Sequence, residues 1–153
     1  MTRTLGAIAG LRDIAPPIPA SGVLRIAGYA ALFDIPDGSG DVIRRGAFER
    51  TLAERGRDPL PLNWQHRADQ RIGWVERIAE DTRGLRVIAT IDNPASRAAD
   101  MLRQRGVDGL SFGYRARRHL RLPRGRLLTD IELFEVSLVT HPLQSGARIH
   151  LIA

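Results

Sequence analysis

The sequence predicts an α+β fold that is rich in strands, with mainly antiparallel pairing and two principal helices. Three features of the chain lead to this prediction. Strand-forming segments follow one another with short polar turns between them, at residues 80–84 and 122–125. Two further segments place apolar residues at helical spacing. Finally, no glycine-rich loop joins a strand to a helix, so the sequence gives no support for a nucleotide-binding parallel sheet.

The 153 residues are enough for one domain with its own apolar core. Residues 1–20 contain three prolines and show no sustained period, so we predict a flexible N-terminal arm there and a single domain over 21–153. The absence of cysteine excludes thiol catalysis, disulfides and cysteine zinc sites. The chain also lacks a signal-peptide core and any apolar run near the ~18 residues that cross a bilayer. We therefore expect a soluble, intracellular protein with no membrane partner.

The first predicted elements are a strand and a short helix. Residues 23–33 are mostly apolar and are predicted to form the strand. Residues 46–55 are predicted to form the helix, with Phe48 and Leu52 on one face and Gly56 at its end. The segment Leu-Asn-Trp-Gln-His that ends at His66 is predicted to be extended, which would put its leucine, tryptophan and histidine on one face.

The second half of the chain is predicted to contain two hairpins separated by a helix. Residues 71–78 and 85–91 form the first hairpin. Asn93 and Pro94 are typical of a helix N-cap and first turn, so a helix is expected from there to Arg105. Residues 110–118 and 127–140 form the last long strands.

Ser111, His66 and Glu135 have the side chains of a nucleophile, a base and an orienting acid. A serine hydroxyl needs an imidazole in hydrogen-bond reach, and the imidazole needs a third group that fixes its tautomer. Such triads occur in different chain orders, so sequence order does not exclude this one. The alternative for Ser111 is a small polar residue on a half-buried strand. The four histidines show no short metal-binding spacing, so neither a metal nor a cofactor is expected.

Glu135 interrupts an apolar strand, where a carboxylate is costly to bury unless it is paired. Its partner could be His66 or one of the many arginines. Period two places Glu135 and Ser137 on one face and Glu132 on the other, so Glu132 is the weaker orienting candidate. His141, just after this strand, is the alternative third member.

All 23 basic residues are arginine, and the formal net charge is +6, which favours acidic partners. Six arginines gather between Arg115 and Arg126. One interpretation is a nucleic-acid-binding module, although few aromatic residues accompany the arginines. The other is a solvated hairpin with charged outer faces.

Several short blocks occur in a defined order along residues 23–149: Gly28–Phe33, Asp41–Ile43, Gly46–Phe48, Leu62–His66 with Ile72-Gly73 beyond it, Gly84–Val87, Gly109–Tyr114, and Glu135–Thr140 with Pro142. Each block alone is weak evidence. As an ordered set they resemble the tailed-phage prohead protease family.

This resemblance implies a serine protease with a fold similar to herpesvirus assemblin, a mainly antiparallel β-barrel flanked by helices. Members act inside the immature capsid, or prohead, in the host cytoplasm. They cut the scaffold or the N-terminal scaffolding segment of the major capsid protein, and generally themselves. Self-association is expected by the same analogy. The carrier would be a phage, a prophage or a gene-transfer particle.

The family motifs assign the base to His66 and the nucleophile to Ser111. The acidic residue before Val-Ser-Leu-Val falls on Glu135, whereas a Ser-His-His arrangement of the assemblin type would require a histidine, for which His141 is nearest. The tetrahedral oxyanion would also need donors, for which Gly113 near the nucleophile and the backbone of residues 146–148 are only candidates. Two other functions remain as alternatives: a non-catalytic assembly protein that associates with the scaffold, and the arginine-rich nucleic-acid-binding module.

Overall fold

A computed structural model describes residues 12–13 and 24–153. The predicted arm, 1–20, and the predicted start of the domain at residue 21 lie outside the described residues, apart from 12–13. Those two form strand β1, Arg12–Asp13, which pairs with a later strand. Neither described helix is long and apolar enough to cross a bilayer.

The elements that follow, in chain order, are β2 Leu24–Leu32, β3 Val42–Ile43, α1 Glu49–Arg55, β4 Leu60–Trp64, β5 Arg67–Glu80, β6 Gly84–Ile91, α2 Arg97–Arg103, β7 Gly109–Leu122, β8 Gly125–Val139 and β9 Ile149–Ile152. The β-rich class and the two helices are confirmed. Both hairpins, β5–β6 and β7–β8, are also confirmed, and their strands extend beyond the predicted limits.

The described strands form one sheet in the order β3-β8-β4-β5-β6-β2-β9, with β1 on β5 and β7 on β8. Most neighbours are antiparallel, but β3 and β4 both run parallel to β8. The β4–β8 pair is the important one for function, because it brings residues from the middle of the chain beside residues near its end. Strands β3 and β9 are the two ends of this order and do not pair with each other among the described residues. Closure of the sheet into a barrel therefore stays a prediction.

The start of α2 differs from the prediction. Asn93 does not cap this helix, because its side chain accepts from Ala95 N–H and its carbonyl accepts from Ser96 N–H in a preceding turn. Ser96 is the N-cap, and its hydroxyl accepts from Ala99 N–H at 3.2 Å. Serine caps a helix about as well as asparagine does, so cap preference at Asn93 alone was not enough to locate the start of the helix.

The core is one cluster between the sheet and helix α1. Phe48 is fully buried and its ring contacts Phe33 and Phe112. Helix α1 is tied to β8 because Thr51 Oγ1 accepts from Leu133 N–H at 3.0 Å. Ordinary large-to-small substitutions in such a core cost about 2–5 kcal/mol. The interior therefore holds β4, β7 and β8 in fixed register.

Candidate active site

His66 lies in a two-residue turn between β4 and β5. Trp64 and Arg67 are partners across that hairpin, and the residues between them, Gln65 and His66, have φ angles of 51° and 60°. Positive φ at both positions is the pattern of a type I′ turn, which normally takes asparagine or glycine. Holding a non-glycine residue there costs about 1–3 kcal/mol, and such residues cluster at functional sites. The extended conformation predicted for His66 is therefore wrong.

The strained turn is held against β8. Gln65 N–H donates to Leu138 O at 2.9 Å. The Gln65 side chain donates to Thr140 Oγ1 at 2.6 Å and accepts from Thr140 N–H at 3.2 Å. These contacts supply binding energy that offsets the backbone strain. The histidine ring is consequently directed back toward β8 rather than along β4.

His66 pairs with Glu135 on β8. The distance from His66 Nδ1 to Glu135 Oε1 is 2.6 Å, and the side chains are 44% and 13% exposed. The hydrogen bond and charge of Glu135 raise the pKa of His66 above its ordinary value, although partial burial works in the opposite direction. The side chain of the neighbouring Arg67 is 59% exposed. Of the partners that the sequence left open for Glu135, the structure selects the histidine.

Ser137 bridges these two residues. Its hydroxyl donates to Glu135 Oε2 at 2.5 Å and accepts from His66 N–H at 3.1 Å. Ser137 is completely buried, with 0% of its surface exposed. Its hydroxyl proton is committed to a carboxylate and it has no access to solvent, so this serine is unsuited to attack a substrate.

Ser111 lies on β7 directly opposite Ser137. Residues directly opposite on paired strands face the same side of a sheet, with Cβ atoms about 4.5–5.5 Å apart. Asn63 of β4 is the partner of Ser137 on the other side, so three polar residues form a row across β4, β8 and β7. Ser111 is half-buried. Within the described residues its hydroxyl makes no hydrogen bond, so Ser111 shares the face of Glu135 but is not joined to His66.

Gly113 provides the space in which Glu135 lies. It is the β7 partner of Glu135, and a Cβ atom at this position would fall 2.5 Å from Glu135 Oε1 and 2.9 Å from its Cγ. Real Cβ atoms do not approach so closely. A side chain at residue 113 would therefore push the carboxylate away from His66 and Ser137.

For the proteolysis that the sequence resemblance implies, we expect Gly113→Ala to lower kcat/KM by roughly 10- to 100-fold, because a displacement near 1 Å can cost about 10² in rate. Steady-state proteolysis measures this change. Gly106→Ala is a suitable control, since its Cβ would meet only Met101 O at 3.6 Å. Equal rates for the Gly113 variant and the wild-type chain would contradict the assignment of Glu135 to the site.

Two recesses flank these side chains. One lies beside Ser111 and is lined by Ala30, Ile43, Phe112 and Leu143. The other lies between the His66 turn and α2, with Trp64, Ile72 and Met101 as its apolar lining and Arg67 and Arg97 at the same groove. The recess beside Ser111 has a volume of only about 20 Å³, which is room for one water molecule, so an extended peptide crossing the polar row would place a side chain in the groove beside the His66 turn.

The remaining candidates lie apart from this arrangement. His141 follows β8, is exposed, and has no hydrogen bond within the part of the chain that the structure describes. Among the arginines at 115–126, three form ion pairs: Arg115 with Glu132, Arg117 with Glu54, and Arg126 with Asp41. Much of this basic cluster therefore has intramolecular partners.

Sequence reasoning did not identify Ser137 or the strained turn as parts of the site. A signal for Ser137 was present, because alternation placed it on the face of Glu135 in an apolar strand. Two polar residues at that spacing on one face indicate a shared partner. The turn gave no such signal, since Gln65-His66 lacks the Asn-Gly or Asp-Gly pattern that is typical of two-residue turns with positive φ.

Comparison with known proteins gives two kinds of match. The profile of the caudovirus prohead serine protease family matches residues 16–153. The prohead protease of Enterobacteria phage HK97 is 32% identical over 129 residues, which cover 80% of this chain and 57% of that protein. The chain thus spans little more than half the length of this curated relative.

Two solved viral proteases have a similar structure. The KSHV protease, solved with a hexapeptide phosphonate inhibitor, is 16% identical with a TM-score of 0.54, over 86% of this chain and 65% of that one. The varicella-zoster virus protease is 21% identical with a TM-score of 0.55, over 84% of this chain and 63% of that one. At these identities the likeness shows a common fold.

Proposed function

Because this chain belongs to the caudovirus prohead serine protease family, we propose that it is a serine endopeptidase of capsid maturation. Its substrates are the scaffold or the scaffolding segment of the major capsid protein, and it works inside the prohead in the host cell. Ser111 is the nucleophile, His66 the general base and Glu135 the orienting acid. The observation that carries the proposal is the His66–Glu135 pair at 2.6 Å, built on a strained turn beside β8, which is the strand that pairs with the strand of Ser111.

The tautomer of His66 follows from its contact with Glu135. A carboxylate can only accept, so Nδ1 carries a proton and donates it to Glu135 Oε1. In the neutral ring Nε2 then has a free lone pair. This nitrogen accepts the Ser111 proton as the serine oxygen attacks the peptide carbonyl, and later returns it to the leaving amine. Glu135 stabilises the imidazolium that forms between these steps.

We expect the hydrogen bond between Ser111 and His66 to form only when substrate binds. Catalytic hydrogen bonds are often long or poorly aligned in free enzymes and shorten in the complex. A peptide lying across the polar row would exclude water from it. Both side chains are accessible enough to meet it, since Ser111 is half-buried and His66 is exposed.

The oxyanion donors predicted from the sequence need refinement. Leu110 N–H donates to Ala147 O, away from β8. Alternation along β7 then gives Phe112 N–H the same outward direction and turns Gly113 N–H toward β8. Ala147 N–H already donates to Gln144 O. Phe112 N–H, which follows the nucleophile, is therefore the better candidate on β7.

Barrel closure and self-association are part of the same proposal. Two backbone hydrogen bonds join the start of β7 to the start of β9. Leu110 N–H donates to Ala147 O at 2.9 Å, and Ile149 N–H donates to Asp108 O at 2.8 Å. Strand β9 in turn pairs with β2. These bonds support a ring of strands that closes between β7 and β2. Self-association rests on family analogy alone.

Proteolysis is expected to require neutral His66 and therefore to rise with pH. Glu135 raises the pKa of His66, so the acidic half-point of kcat/KM should lie above the ~6.5 of an unperturbed histidine. With such a pKa, kcat/KM should increase about ten-fold or more from pH 5.5 to pH 8. A half-point at or below pH 6 would argue against His66 as the base.

The function is tested by incubating the purified chain with the major capsid protein encoded beside it and measuring intact masses. Defined N-terminal trimming of the capsid protein is the expected result. If the free capsid protein is not cut, the same assay on assembled proheads decides. A capsid protein that stays intact in both would overturn the proposed function.

A further inference from the structure

We propose that Ser137 is a positioning residue that aligns the general base, by holding the Glu135 carboxylate and the His66 turn with one hydroxyl group. This role rests on the proposed function, since it concerns the same site. It goes beyond the triad because Ser137 touches neither the substrate nor the reacting atoms. Ser137 acts instead through its contacts with the Glu135 carboxylate and the His66 backbone N–H.

The first contact fixes the carboxylate. A carboxylate at the end of a glutamate side chain can rotate, so either oxygen could face His66 and neither need do so. Ser137 donates its proton to Oε2, which leaves Oε1 to accept from His66 Nδ1. Gly113 leaves open the space that this orientation occupies. The carboxylate is thus held from two sides and has room in one orientation.

The second contact fixes the turn. His66 N–H donates to Ser137 Oγ at 3.1 Å, at a residue whose φ of 60° is unfavourable for histidine. Without this acceptor a partly buried backbone donor would lose its partner. The turn could then relax toward ordinary backbone angles and carry the ring away from Glu135.

The donor and acceptor capacities of the hydroxyl agree with this role. A serine hydroxyl has one proton to donate and lone pairs to accept, and Ser137 uses both functions within the site. Asn63, its neighbour on β4, is 5% exposed, and its Oδ1 has no partner among the described residues. The Ser137 proton is therefore given to Glu135 and not to Asn63 of β4.

The experiment compares Ser137→Ala with the wild-type chain in steady-state proteolysis. We expect kcat to fall roughly 10- to 100-fold, as for other residues that orient an active group from behind, with KM nearly unchanged. Thr51→Val is the matched control. Thr51 is also a buried hydroxyl that accepts a backbone N–H, that of Leu133, but it lies outside the site, so its loss should leave kcat near the wild-type value.

A double-mutant cycle separates positioning from general stability. If Ser137 acts through Glu135, then Ser137→Ala should reduce kcat less than about two-fold in the Glu135→Gln background. An equal loss in both backgrounds would overturn the proposal. Should Ser137→Ala fail to fold, Ser137→Thr and Ser137→Val replace it, since they differ only by a hydroxyl against a methyl group. Only Thr should then retain activity.

A readout without substrate separates this proposal from the proposed function. NMR titration of the His66 ring should show a lower pKa in Ser137→Ala than in the wild-type chain, because the freed carboxylate no longer stays on Nδ1. The Thr51→Val control should titrate as wild type. An unchanged His66 pKa in Ser137→Ala would reject the positioning role, whether or not the chain cleaves the capsid protein.

Discussion

Ser111→Ala is expected to abolish proteolysis and leave the fold unchanged. Loss of a nucleophile typically reduces kcat by about 10⁴-fold or more, and the residual rate comes from substrate binding and oxyanion stabilisation. The fold should tolerate the change because Ser111 is half-buried and its hydroxyl makes no hydrogen bond among the described residues. Its melting temperature should stay within a few degrees of the wild type.

Mass spectrometry of the capsid protein after incubation with each variant measures this effect. Ser39→Ala is the matched control, because Ser39 is exposed and its side chain has no hydrogen bond within the described residues. Trimming should proceed with the wild-type chain and with Ser39→Ala, and should be absent with Ser111→Ala. Identical trimming by Ser111→Ala would move the nucleophile to another residue.

Glu135→Gln is expected to reduce kcat by about 10³- to 10⁴-fold. The amide keeps the shape of the side chain but loses the charge that stabilises the imidazolium and selects the His66 tautomer. Because that carboxylate raises the His66 pKa, its removal should also lower this pKa. The acidic limb of the rate profile should then move to lower pH, with a smaller maximum. A pH series of kcat/KM measures both effects.

Glu132→Gln serves as the control for this change. Glu132 lies on the same strand but the opposite face, where it pairs with Arg115 and Arg117. The change removes a partly buried ion pair that lies outside the polar row, so proteolysis should be close to wild type. His141→Ala should likewise have little effect, because His66 Nδ1 is already bonded to Glu135. A larger loss in His141→Ala than in Glu135→Gln would restore the Ser-His-His alternative.

Local sequence patterns were sufficient for most of the strands and for both hairpins. Residues in the β5–β6 and β7–β8 hairpins pair with residues close in sequence. The alternation of apolar and polar residues, together with the polar turns, is therefore enough to predict these strands. Helix α1 was predicted for a similar reason, since Phe48 and Leu52 form its buried face. The short strands β3 and β9 were not predicted. Their pairing depends on distant partners and they are too short to show a period.

The candidate residues of the site could be named from the sequence, whereas their geometry could not. Ser111, His66 and Glu135 stood out because reactive residue types interrupt apolar segments or match family motifs. The pairing of β4 with β8 could not be predicted from the sequence, because parallel strands separated by several elements leave no pattern in the local sequence. Without that pairing, neither the approach of His66 to Glu135 nor the bridging position of Ser137 could be derived.

The parallel pairing of β4 with β8 also sets the order in which the proposed triad can form. His66 follows β4, whereas Glu135 lies 69 residues later in the chain, on β8. Contacts so distant in sequence form late in folding, because the entropy of closing the intervening loop must be met first. In the proposed triad, the base therefore meets its acid only after β8 has been synthesised and has paired with β4.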